Sequence, residues 1–257
     1  MEQILIDFYI NGICPGRTVA TQSNTYLSLL PLADACPGTR FALLSVAASY
    51  ICEHLPSQKE VYHQAELYYS MQALQALTAQ ISTGTNYEGA VATSMLLMHH
   101  SAFDGEDSPL CWSCHASIFD IIPPGVVDLE SDMALFIRTQ LVLARTAQTC
   151  AQLQNTEFHS IEKKSRLECA SSREAQKICA TLGLSPELSF LICSITSLAM
   201  HTSSPDSLLH AQVLEAQLLN MCQWTEEIQF AEREVIVKTA EAFRLAAITY
   251  LRTRIYG

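Results

Sequence analysis

Apolar residues recur along most of this chain at spacings of three and four positions, which places them on one face of an α-helix. The stretch FALLSVAASYICEHL, residues 41–55, shows this pattern, and Pro56 after it predicts the end of the helix. Ser57 and Glu60 then have the spacing of a capping box, whose side chains satisfy free amides at a helix start. The helix that follows should extend to about residue 81. Its apolar positions are Val61, Leu67, Tyr68, Met71, Leu74 and Leu77.

The same spacing predicts helices along the rest of the chain, on both sides of a polar segment at residues 153–182. The turn-rich residues 82–89 separate two of them. The predicted helices cover residues 89–103, 109–122, 130–152, 185–200, 205–222 and 232–255. No stretch shows the pattern of strands joined by a hairpin turn. We therefore predict an all-α fold, a single layered domain of antiparallel packed helices over residues 1–257, with a weakly structured connector around residues 153–182.

The composition supports a packed fold and excludes one class of ligand. Hydrophobic residues make up 49% of the 257 positions and charged residues only 16%, so the chain needs a large core or a partner surface. The formal net charge is −11, and the one dense basic run is KKSR at residues 163–166. Because binding to phosphates requires clustered Lys and Arg, we expect no direct contact with nucleic acid.

The N-terminal sequence and the cysteines bear on the compartment. Glu2 and Asp7 interrupt the N-terminal stretch, which therefore lacks the pattern of a secretory signal. No apolar stretch reaches the about 18 charge-free residues that suggest a membrane span. We expect a protein of the nucleus or cytoplasm that is neither secreted nor bound to a membrane. Its ten cysteines are then expected to be reduced thiols that act as small hydrophobic residues.

Four stretches of the chain occur in the order and approximate spacing of a known family, at residues 41–55, 92–119, 182–199 and 239–255. NGICPGR, residues 11–17, is similar to the beginning of the same region. The chain resembles the fungal-specific transcription factor domain, the all-helical regulatory region that usually follows a binuclear zinc-cluster DNA-binding domain. The resemblance covers most of the chain outside the polar connector. It implies a regulator of transcription, in a setting such as fungal secondary metabolism.

The chain departs from the family pattern in three respects, one of which is Ile118 and Phe119 at the place where the family often has a Gly-Ala pair. The zinc cluster of the family reads DNA with six closely spaced cysteines beside basic residues, and the ten cysteines here form no such array. The family also usually continues well beyond the sequence YLRTRI at residues 250–255, whereas this chain stops at Gly257. We therefore expect a regulatory domain without the DNA-binding module and truncated at its C-terminus. A missing closing layer predicts an exposed apolar face.

The sequence CWSCH, residues 111–115, has the form of a c-type haem attachment motif, and its cysteine pair is also found in zinc and redox sites. Haem attachment needs export, a zinc site needs a second ligand pair, and a thioredoxin-like pair needs a βαβ context. The sequence provides none of these. We favour a packed helix started by Pro109, in which Trp112 and His115 lie one turn apart on a packed face and Cys111 and Cys114 are their small neighbours. Cys111 lies in the first turn, a position where thiols can be more reactive.

A second candidate for chemistry is HHSAFDGED, residues 99–107, with the possible ligands His99, His100, Asp104, Glu106 and Asp107. Carboxylates in this arrangement would suit Mg²⁺ in an all-α enzyme of the terpenoid-cyclase type. Such an enzyme needs a second acidic motif, for which the candidates are Asp128, Glu130 and Asp132. The simpler interpretation is a solvated loop followed by an acidic helix start.

We therefore predict no catalytic, metal-binding or cofactor-binding residues, and no cofactor. The first hypothesis is a non-enzymatic, transcription-factor-like regulatory protein without its own DNA-binding domain. It would act through a protein partner, such as a full-length transcription factor, or through a small-molecule effector bound between helices. The alternative is a Mg²⁺-dependent, all-α biosynthetic enzyme of the terpenoid type, because a fold does not determine function.

Overall fold

A computed structural model describes residues 1–21, 24–101, 172–200, 207–226 and 230–257. The chain divides into two compact units. The first unit comprises Met1–Thr18 and Asn24–Ile137, and the second comprises Val19–Ser23 and Arg138–Gly257. The helices predicted at 109–122 and 130–152 lie outside the described residues. The single domain over residues 1–257 stays a prediction.

The all-α fold class is confirmed for the described ranges, which contain helices, turns and isolated bridges but no strand. The helices of the first unit are α1 (Glu2–Phe8), α2 (Thr25–Ala35), α3 (Pro37–His54), α4 (Lys59–Thr83) and α5 (Tyr87–Ser101). Of these, α3, α4 and α5 agree with predicted helices to within a few residues. The sequence pattern missed α1 and α2, because Gly12, Pro15 and Pro31 fall in or beside them and are typical of turns.

The capping box predicted at Ser57 and Glu60 does not form. Pro56–Gln58 is a 3₁₀ turn, and α4 follows it with Gln58 as its N-cap and no side-chain cap. The amide of Gln58 already donates to the carbonyl oxygen of Leu55 at 2.9 Å. The turn that the proline starts therefore continues directly into α4, and no separate cap is needed.

The central helix of the first unit is α3, which packs against α2, α4 and α5. It is buried on nearly all sides, as expected for a helix whose apolar and small residues lie around its whole circumference. Its buried polar groups have partners. The hydroxyl of Thr39 lies 3.2 Å from the carbonyl oxygen of Gly89 and 3.2 Å from the hydroxyl of Thr93, both on α5. Such pairing removes the penalty for burying polar atoms between helices.

Buried polar contacts also fix the turns that follow α1. The hydroxyl of Tyr9 donates to the carbonyl oxygen of Tyr26 at 3.1 Å. The side-chain amide of Asn24 donates to the carbonyl oxygen of Cys14 at 2.9 Å, while its oxygen accepts from the amide of Tyr26 and caps α2. The guanidinium of Arg17 lies 6.0 Å from the centre of the Tyr26 ring. These contacts connect the NGICPGR segment to the start of α2.

A buried thiol in these turns predicts that the free energy of unfolding falls at alkaline pH. Burial raises the pKa of the Cys14 thiol from 9.0 to about 11, so the folded state disfavours the thiolate. Below pH 9.0 the thiol is protonated in both states; above it the unfolded chain loses the proton first. The free energy of unfolding should therefore fall as the pH rises from 9.0 to about 11. Urea unfolding under reducing conditions measures this, and Cys14→Ala should flatten the pH dependence, whereas the exposed-site control Cys222→Ala should not.

The described part of the second unit contains α6 (Ser172–Ala175), α7 (Pro186–Met200), α8 (Ser207–Asn220) and α9 (Phe230–Leu251). The last three agree with the helices predicted at 185–200, 205–222 and 232–255. Its core contains Leu184, Leu188, Leu191, Ile195, Ala211, Leu218, Ala247, Ile248 and Leu251. Residues 172–182, the described part of the predicted connector, include the buried side chains of Ile178 and Cys179.

Candidate protein-interaction surface

Helix α4 packs on α3 through one face, which we call the inner face. It consists of the buried residues Tyr62, Glu66, Tyr69, Ala73 and Leu77. The hydroxyl of Ser45 on α3 donates to the backbone carbonyl oxygen of Glu66 at 3.3 Å, and the ring of Tyr69 is stacked with that of Phe41 at 6.3 Å. These contacts fix the rotation of α4 about its own axis.

The opposite side of α4, the outer face, is also apolar, although it is exposed. It carries Val61, Leu67, Tyr68, Met71 and Leu74, whose exposed fractions are 59%, 57%, 53%, 50% and 43%. Isolated exposed apolar residues are common, but five large ones on one helix form a patch of the kind that marks an interaction site. The outer face is therefore the candidate functional surface of the first unit.

The sequence pattern identified the outer-face residues as the apolar positions of α4. It did not show that they are exposed while other residues of the helix face the core. Of the six apolar positions named from the pattern, only Leu77 is buried. The inner face includes two tyrosines and a glutamate, residues that a hydrophobic pattern discounts. The ring of Tyr69 packs on Phe41 of α3 and the carboxylate of Glu66 pairs with His63 on α4 itself, so packing overrides the simple apolar pattern.

Charge is distributed unevenly between the two faces. The only charged residue between Gln64 and Thr83 is Glu66, and it belongs to the inner face. Its side chain is only 7% exposed, and one carboxylate oxygen lies 3.0 Å from Nδ1 of His63. The pKa of the Cys52 thiol is raised, mainly by burial and to a smaller extent by the negative charge of this carboxylate. The outer face is consequently free of charged side chains over the last 20 residues of α4.

An open groove of about 530 Å³ lies at the N-terminal end of the outer face. It is lined by Met1, Glu60, Val61, Gln64, Ala65, Tyr68 and Tyr69. On the adjacent α1, Met1 and Ile4 are 52% and 55% exposed. The groove combines apolar walls with two tyrosines, a glutamine and the carboxylate of Glu60, a lining that suits a partner's apolar side chain flanked by polar hydrogen-bond donors.

The chemical motifs singled out in the sequence do not contribute to this surface. CWSCH at 111–115 and the acidic candidates at 104–107 and 128–132 lie outside the described residues, as do the side chains of His99 and His100 on α5. In the parts of the chain that the structure describes, no group of three or more His, Cys, Asp or Glu side chains could hold a metal ion. In the same parts, every helix is too short or too polar to span a membrane.

A family model, the fungal specific transcription factor domain, matches residues 4–257, which is nearly the whole chain. The chain belongs to this family. No curated protein and no solved structure matches it. In this fungal specific transcription factor domain, the matching stretches noted in the sequence at 41–55, 182–199 and 239–255 fall largely on α3, α7 and α9.

Family membership gives the chain a regulatory context. The fungal specific transcription factor domain supports a transcription-factor-like regulatory role. The outer face of α4 was not predicted as a candidate surface from the sequence, although its apolar residues were visible there. The sequence feature that could have revealed this face is the number of apolar positions on α4, because it exceeds what one face of a helix can bury.

Proposed function

We propose that this fungal specific transcription factor domain is a non-enzymatic regulatory protein that acts in the nucleus through a protein partner docked on the outer face of α4. The observation that carries the proposal is the set of five large, half-exposed apolar side chains on that face. Covering them with a partner removes apolar surface from water, the main favourable term in protein association. Fungal secondary metabolism is the proposed setting.

Charge supports a partner that is protein rather than DNA. The chain carries 26 acidic residues against 15 basic ones, and the outer face of α4 presents no Lys or Arg between Gln64 and Thr83. A chain with this net charge repels a phosphate backbone, and a face without Lys or Arg cannot release the counterions of DNA. We propose that the chain reaches its target genes through the partner, such as a full-length transcription factor, and not through a DNA-binding module of its own.

A reporter assay tests the regulatory role. Residues 1–257 fused to an unrelated DNA-binding domain should change transcription of a reporter gene in a fungal cell. The double substitution Leu67→Glu and Leu74→Glu should abolish the change, because each substitution removes an apolar anchor and places a carboxylate in the interface, at about 2 kcal/mol or more apiece. Leu208→Glu with Leu209→Glu on α8 is the matched control, since these leucines are 58% and 61% exposed.

A gel-shift experiment with the unfused chain tests the absence of direct DNA contact. The purified protein should leave duplex DNA unshifted at physiological salt. Sequence-specific binding that weakens as salt increases would mean that the chain contacts phosphates itself, and the proposal of a partner-mediated role would then fail. An unchanged reporter signal for both double variants would argue against the outer face as the docking surface.

A further inference from the structure

The segment Val19–Thr21 lies outside the helices, yet it is bound within the second unit, to which it belongs. The backbone amide of Val19 donates to the carbonyl oxygen of Thr181 at 2.9 Å. The hydroxyl of Thr21 donates to Oε1 of Glu232, in the first turn of α9, at 3.0 Å. We call this three-residue segment the strap, because it connects two separate parts of the second unit.

The central residue of the strap is buried. Ala20 is 1% exposed and packs in a small apolar cluster, so a longer side chain would have to displace its neighbours. Beside the cluster, Gly183 leaves room for Val19, since a Cβ atom at Gly183 would lie 2.9 Å from Cγ2 of Val19. The site is therefore shaped to hold the strap. The buried neighbours of Ala20 in this cluster are Ile178, Ile236 and Ala240.

The strap buries little apolar surface compared with the core of the second unit. Of its three side chains, Ala20 is buried, Val19 is half-buried and Thr21 is exposed. The core formed by α7, α8 and α9 includes five buried leucines. Segments with few buried apolar contacts open locally at a lower free energy than the helices that form a core. The strap should therefore open more readily than the second unit unfolds.

We propose that the strap is a conformational latch, which opens and closes on the second unit while α7, α8 and α9 stay folded. In the closed state, the strap joins the carbonyl oxygen of Thr181 to the carboxylate of Glu232. In the open state, both groups return to water and the buried side chain of Ala20 leaves its cluster. The contacts described above belong to the closed state.

Opening of the strap should loosen the turn that contains Thr181. The amides of Leu182 and Gly183 both donate to the carbonyl oxygen of Cys179, at 3.1 and 2.7 Å, and these bonds close the turn. The strap holds the same turn through the bond from Val19 to Thr181. Exchange of the amides of the turn with solvent therefore reports the state of the strap, whereas exchange in the middle of α7 reports unfolding of the core.

The charge of Glu232 determines how the latch can be opened. Its carboxylate accepts the hydrogen bond from Thr21, whose side chain is exposed. A second carboxylate at position 21 would face that of Glu232, and the two like charges would repel each other. Thr21→Asp should therefore open the strap, whereas Thr21→Asn keeps a hydrogen-bond donor without the charge and should leave it closed. Adding Glu232→Gln to Thr21→Asp should close the strap again.

Hydrogen exchange of the full chain, followed by NMR spectroscopy, tests the latch. In the wild type, the amides of Val19, Leu182 and Gly183 should exchange on the order of 100-fold faster than those in the middle of α7. Ala20→Arg should raise the rates at these three amides by about 10-fold or more and leave α7 unchanged. Thr21→Asp should raise them by about 5-fold, and Thr21→Asn by less than about twofold. Circular dichroism should show that the variants keep the helical fold.

Three outcomes of this experiment would overturn the latch. The first is a Val19 amide that exchanges as slowly in the wild type as the middle of α7, because the strap would then be released only on unfolding. The second is a Thr21→Asp variant in which exchange is accelerated equally throughout the second unit. The third is equal acceleration in Thr21→Asn and Thr21→Asp, because the charge would then play no part. Since Thr21 is exposed, these two variants decide the result even if Ala20→Arg does not fold.

Discussion

Replacing Gly183 with alanine is expected to lower the free energy of unfolding of the second unit by about 3 kcal/mol. Gly183 has a φ of +73°, in the left-handed region that costs an ordinary L-residue roughly 1–2 kcal/mol. A Cβ atom there would also lie 2.6 Å from Cγ2 of Thr239 and 2.9 Å from Cγ2 of Val19. The conformational cost and the steric cost therefore add at one position.

Thermal unfolding followed by circular dichroism measures the effect of Gly183→Ala. We expect the midpoint to fall by roughly 6–12 °C for a protein of this size. The control is Gly16→Ala, since a Cβ atom at Gly16 would have nothing within 4 Å. Adding Thr239→Ala should recover part of the loss by removing the nearer methyl group, but not the part due to φ. Equal midpoints for the wild type and Gly183→Ala would contradict the tight turn at this position.

The second large effect is expected for Gly89→Val, at the point where α5 begins its approach to α3. A Cβ atom at Gly89 would lie 2.6 Å from Sγ of Cys36 and 2.7 Å from Nδ2 of Asn86. Asn86 cannot move away freely, because its side-chain oxygen accepts from the amide of Gly89 at 3.1 Å. Overpacking of this kind costs about 1–3 kcal/mol, and the branched side chain of valine places the result at the upper end.

Urea unfolding tests Gly89→Val, with Gly16→Val as the matched substitution at an open site. We expect about 3 kcal/mol lower stability for Gly89→Val and a change within about 0.5 kcal/mol for the control. A double variant with Cys36→Ala should lose less than the sum of the two single variants, because the thiol is one of the two groups that the valine would meet. Strictly additive losses would show that the thiol is not in contact.

The sequence was most informative where apolar residues cover a helix completely. In α3 and α7, apolar and small residues lie on most positions, so any rotation of the helix buries a suitable surface and the pattern alone indicates a core helix. It failed for α1 and α2. Gly12 and Pro15 follow α1 and Pro31 lies inside α2, and such residues are typical of turns. Only the contacts of Tyr9 and Asn24 show how the chain between the two helices is held.

The candidate surface was harder to predict than the fold. The apolar residues of α4 were visible, yet their number does not say which of them face the core. Tyr62 and Tyr69 are buried in preference to Leu67 and Met71. That choice depends on the shape of α3, on the stacking of Phe41 with Tyr69 and on the partners available to polar atoms, none of which is encoded in a period of apolar positions.

The fold class, most helix positions, the acidic charge and the resemblance to the family that matches residues 4–257 could all be predicted from the amino-acid sequence. These depend on local preference, composition and the order of apolar stretches, all of which are properties of the chain before it folds. The rotation of α4, the loss of the capping box at Ser57 and the close contacts at Gly89 and Gly183 depend on tertiary packing. The reason is that packing selects among helix faces and turn geometries by the space and the hydrogen-bond partners that other helices provide.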